Sequence, residues 1–133
     1  MPSASCLHEL SRTESLALLT EARLGRVGVS VDALPVVLPV FIVMVGDRIV
    51  FRTVPGTKLN AAVNGSIVAV EADRVDEETG NGWSVLVRGV AHEVSDPALA
   101  DAARPRLGSA WLDGSREHLV EVTTDLVTGR RLD

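Results

Sequence analysis

The stretch Phe51-Arg52-Thr53-Val54-Pro55-Gly56-Thr57-Lys58-Leu59 brings together residue types that bind an anion. A strand ending in Arg-Thr, a tight Pro-Gly turn and a helix starting at Thr-Lys would converge on one point. A helix start offers free N–H groups and the positive end of its dipole. Thr57 adds a hydroxyl, and Gly56 lets the backbone approach a ligand closely. Lys58 is informative because a cation in the first helical turn opposes the dipole; an anion between them would offset both. It is also the only lysine, beside twelve arginines. The chemistry indicated is phosphate binding by Arg52, Thr53, Thr57 and Lys58. A surface lysine and an ordinary strand arginine fit the same residues.

Other reactive signatures are missing. There is no G-x-S-x-G elbow. Gly80-Asn81-Gly82-Trp83 opens like a dinucleotide fingerprint but lacks its third glycine and the helix after it. His8, His92 and His118 show no metal-ligand spacing, so no metal site is expected. Asp76 to Gly82 reads as a solvated acidic turn. No residue presents itself as a general acid or base, and the catalytic residues stay unknown.

The elements that must hold this segment follow from pattern. Ser11 and Glu14 make a capping box, predicting a helix over Arg12–Ala22 with Leu10 as its staple and Gly25 as its stop. Arg26–Val31 alternates as a strand. Pro35–Val45 is a long apolar strand whose prolines belong at an edge or bulge. Gly46-Asp47 signals a hairpin into Arg48–Thr53. A short helix is expected over Lys58–Asn64, strands over Ser66–Val75 and Trp83–Val94, and a third helix over Pro97–Ala103. His118–Leu132 closes as a strand or bent hairpin. Parallel folds need crossover helices that are absent here. The fold expected is mainly β: a small barrel of six or seven mostly antiparallel strands with two or three short helices.

Composition bounds the rest. The 133 residues suit one domain, 1–133. With 46% hydrophobic and 23% charged residues, the chain is not disordered. A net charge of −5 and 3% aromatic residues argue against nucleic-acid binding. Cys6 stands alone, so no internal disulfide forms. The longest uncharged run, Ala33 to Gly46, is 14 residues against the roughly 20 of a membrane helix. With no secretory signal at the start, a cytoplasmic location is the expectation. The apolar strand Val36–Val45 lacks clean alternation, which predicts cover on both faces and hence a homodimer.

The ordered set Gly25-Arg26-Val27, Pro35, Pro39-Val40, Ile49–Thr53, Gly56–Leu59 and Gly82–Gly89 resembles the pyridoxamine 5′-phosphate oxidase-like, FMN-binding split-barrel family, in particular its short actinobacterial, nitroimidazole-resistance-type branch. The resemblance implies that Arg52, Thr53, Thr57 and Lys58 bind the flavin phosphate. It implies that Pro39, Val40 and Phe41 run beside the isoalloxazine ring, and that a homodimer holds the cofactor at its interface, with Trp83 and Ser84 reaching in from the partner. The implied activity is FMN-dependent oxidoreduction of a small molecule. The deazaflavin F420 is the alternative cofactor, and a non-catalytic flavin- or haem-binding module the alternative role. The end Gly129–Asp133 lacks the histidine-containing motif of true pyridoxamine phosphate oxidases, so pyridoxal phosphate synthesis is not expected.

Overall fold

The computed structural model describes residues 6–54, 56–108 and 118–133. Its elements run β1 (Leu7–Leu10), α1 (Arg12–Glu21), β2 (Leu24–Val31), β3 (Leu34–Val45), β4 (Arg48–Thr53), α2 (Lys58–Val63), β5 (Ile67–Val75), β6 (Gly82–Glu93), α3 (Pro97–Leu107), β7 (His118–Thr123) and β8 (Leu126–Leu132). The strand order is β1-β8-β6-β5-β2-β3-β4-β7, and β6 also pairs with β7. That last pairing closes a six-strand barrel, β6-β5-β2-β3-β4-β7, with β8 and β1 as a flap beyond β6. The observed pairings are antiparallel throughout, as the hairpin signals predict.

Two long strands make the closure possible. The first eight residues of β3, Leu34–Phe41, pair with β2, and Ile42–Val45 pair with β4. Likewise β6 pairs with β8 through Arg88 and with β7 from Ala91. Gly89 lies between, where an added Cβ would strike the backbone of Thr123. The prolines of β3 fall in the half whose far side carries no partner strand, so their missing N–H groups break no ladder. The β2–β3 turn uses Asp32 and Ala33, both at positive φ (51° and 65°), the signature of a type I′ hairpin.

The main core gathers Val27, Ile49, Phe51, Val70, Val85, Val87 and Val122 inside the barrel, all fully buried or nearly so. A second cluster packs α3, through Ala100, Ala103 and Leu107, on Val43, Val50 and Leu119. This packing carries α3 past Ala103 to Leu107, across the internal Pro105. Helix α1 sits over β8, where Gly129 leaves room for the buried Ser15. One expectation fails locally. Gly25 does not stop α1, which ends at Glu21; it lies inside β2, where a Cβ would stand 3.0 Å from the Glu71 carbonyl oxygen. Leu10 belongs to a strand, β1, that pairs with β8 opposite Gly129.

Candidate functional site

The end of β4 is built from two faces. Ile49 and Phe51 point into the barrel, and Val50 points to α3. Arg52 shares the face of Val50 and so reaches the end of α3. Its Nη1 donates to the Leu107 carbonyl at 3.2 Å and its Nη2 to the Gly108 carbonyl. Thr53 shares the inward face, is 3% exposed, and donates its hydroxyl to Asn60 Oδ1 at 2.6 Å.

The turn to α2 is then fixed from both sides. Gly56 sits at φ +81°, a left-handed conformation that L side chains rarely adopt. Thr57 is the N-cap: its Oγ1 accepts from the Asn60 N–H at 3.1 Å and donates to the Val54 carbonyl at 2.7 Å. Lys58 is the first residue of α2, as expected; its side chain, expected at a phosphate, lies outside the described residues, as does Pro55.

Between this turn and the prolyl half of β3 lies a cleft of about 600 Å³. Leu24, Leu38, Pro39, Val40, Phe41, Val54 and Leu59 make its apolar walls, and Arg52, Thr53 and Thr57 its polar end. The cleft sits where β3 leaves β2 for β4, since Phe41 pairs with Leu24 and Ile42 with Phe51. Helix α2 borders it through Leu59 and is anchored in the core by the fully buried Val63. Arg52 is the only ionisable side chain among the lining residues described.

Six of the nine residues singled out from sequence thus meet at one cleft: Pro39, Val40, Phe41, Arg52, Thr53 and Thr57. Trp83 and Ser84 do not line it within one chain. They open β6, paired with Arg74 and Asp73 on one side and with Arg131 and Arg130 on the other. Leu24, Leu38, Val54 and Leu59 were missed as walls. Leu24 becomes one only through its register with Phe41, which pattern alone does not give.

Outside the cleft, the outer sheet face carries a charged cluster. Arg26 Nη1 lies 3.1 Å from Glu71 Oε1 and 3.4 Å from Asp73 Oδ2. Partial burial, then the neighbouring Asp73 carboxylate, pushes the Glu71 carboxyl up to about 7, with Arg26 opposing. Among the described residues no group of three or more His, Cys, Asp or Glu could hold a metal ion. No helix among them is long and apolar enough to cross a membrane.

The family described as pyridoxamine 5′-phosphate oxidase matches residues 11–131. The chain belongs to that family. Within it, an uncharacterised protein of Mycobacterium tuberculosis is 38% identical over 98% of this chain and 88% of its own length. The structure of the FAD binding protein from Mycobacterium smegmatis superposes with a TM-score of 0.75 at 36% identity, covering 95% of this chain and 98% of that one. An FAD-binding protein from Mesorhizobium loti reaches a TM-score of 0.83 at 23% identity, covering 98% and 99%, and shares the fold. The split barrel read from the sequence is the fold observed.

Proposed function

We propose that this family member binds a flavin nucleotide in the Pro39–Phe41 cleft, with the isoalloxazine ring along β3 and the phosphate at the Arg52–Lys58 end. One observation carries the reading: an apolar slot ends in a cationic, hydroxyl-bearing turn. That is the polarity of a flavin nucleotide, a planar apolar ring joined to an anion. The 36%-identical M. smegmatis protein, described as FAD-binding, supports a flavin in general. We read the nucleotide as FMN, with F420 as the alternative that shares the anionic tail.

The role proposed is an oxidoreductase of small molecules. A bound flavin would supply the redox step, and the protein would bind, orient and shield it. The cleft walls suit that division, because the described lining offers no carboxylate, histidine or thiol. Arg52 contributes fixed positive charge, and the walls of β3 and Leu59 exclude water.

The site reads as complete only in a homodimer. The outer face of the sheet carries the cross-strand row Val37–Gly28–Ala69–Arg88–Leu126. Val37, Ile67 and Leu126 are 67%, 76% and 58% exposed. Phe41 and Leu24 lie on the same face, beyond the Pro39–Arg26–Glu71 row, and reach the cleft. A second copy would cover it and could bring Trp83 and Ser84 to the flavin. Light scattering at low micromolar concentration should give twice the 14.1 kDa chain mass.

Fluorescence titration tests the site. FMN should bind far more tightly than riboflavin, which lacks the phosphate. Lys58→Ala should weaken FMN about 10–100-fold and leave riboflavin nearly unchanged. Equal weakening of both would overturn the phosphate role.

A further inference from the structure

The strand end and the helix start that frame the polar end of the cleft are joined by one side chain outside the cleft lining. Asn60 accepts the Thr53 hydroxyl on Oδ1 at 2.6 Å, and its backbone N–H donates to Thr57 Oγ1 at 3.1 Å. Thr57 passes its own proton to the Val54 carbonyl at 2.7 Å. Both threonine hydroxyl protons are therefore committed inside the protein. A ligand cannot receive either one without breaking this chain of bonds. The threonines then act by geometry: through Asn60 they tie the end of β4, which carries Arg52, to the start of α2.

We infer that Asn60 is the positioning residue of this site, and that its bond from Thr53 holds the end of β4 against the start of α2 and so sets the preference for a phosphorylated ligand. The inference rests on the flavin-phosphate reading above. A bond from a 3%-exposed hydroxyl is shielded from water and short enough to hold that junction. The donor and acceptor lie seven residues apart, on either side of the positive-φ Gly56, so the bond links two elements that the sequence alone leaves separate.

The test is the ratio of FMN to riboflavin affinity, with thermal midpoints measured alongside. Asn60→Ala should lower the ratio about tenfold, the scale of one lost buried hydrogen bond. Thr53→Val, which keeps the shape but not the donor, should lower it equally. The double variant should be no worse than either single one. Thr53→Ser, which keeps the hydroxyl, should restore the ratio to within about twofold of wild type. If Asn60→Ala lowers the thermal midpoint but leaves the ratio intact, Asn60 is structural only and the inference is overturned. The same holds if the two single losses add. If wild type itself fails to prefer FMN, the phosphate reading falls and takes the inference with it.

Discussion

Helices α1 and α2 begin in the same way and are finished differently. At α1, Ser11 Oγ accepts from the Glu14 N–H at 3.1 Å, and Glu14 Oε1 accepts from the Ser11 N–H at 2.9 Å. Those bonds hold the Glu14 carboxyl below its usual range. Arg12, the first residue of α1, is drawn away to the Thr124 carbonyl and hydroxyl at 2.7 and 2.9 Å. The positive end of α1 is answered by the chain's own acid. At α2, Thr57 caps as Ser11 does, but no acid stands in the first turn. A lysine takes the place an acid would suit. The helix with a complete cap sits on β8 and serves packing. The one without a counter-charge borders the apolar cleft of about 600 Å³. A helix start left short of negative charge is where a ligand can supply it.

Lys58→Glu breaks the contrast most sharply, because it gives α2 the acid that α1 has. FMN binding should fall roughly 100-fold or more, while the ligand-free protein gains a few tenths of a kcal/mol. Titration and thermal melts read the two effects separately; a parallel loss of both would mean that Lys58 only supports the fold. Arg52→Ala comes next. FMN should weaken at least tenfold, and the thermal midpoint should also drop because the last α3 carbonyls lose their donor. A drop in FMN affinity without one in stability would contradict its bonds to α3.

Ser11→Ala is the matched control at α1. It should cost about 1 kcal/mol in denaturant unfolding and leave FMN affinity alone. The smallest effect expected concerns pH and Glu71. Its folded-state carboxyl titrates near 7, above the 4.5 of the unfolded chain. The folded state therefore binds more protons over that window, and stability should decline as pH rises from about 4.5 to 7. Glu71→Gln should flatten this slope, with little difference from wild type at pH 4.5. An unchanged slope would place the titration elsewhere.

The sequence made the contrast partly visible. The S-x-x-E box and the Gly-Thr-Lys run were both legible, because caps are local chemistry. The barrel was legible from hairpin signals and the absence of crossover helices. Residues that act through register were not. Leu24 enters the cleft only opposite Phe41, and Asn60 matters only because α2 folds back on the end of β4. Gly25 was misread for a related reason: a glycine after a helix looks like a stop, and only the approach of Glu71 and Ile42 shows that the sheet needs it small. The strand β1 escaped because its four residues gain their place from β8, more than a hundred residues away.

The two long strands that change partners have a further consequence, for how the molecule comes apart. Because β3 is bonded to β2 along one half and β4 along the other, and β6 to β8 and β7, neither sheet can be released while the other keeps its edges. Local openings should therefore stop at the bends. The central amides of β3 and β6 should exchange with solvent deuterium only by whole-molecule unfolding, as one protected class. Helix α2, six residues long, lies outside this ladder and should exchange as a separate class. The barrel thus keeps one jointly protected frame beneath the segment that lines the cleft.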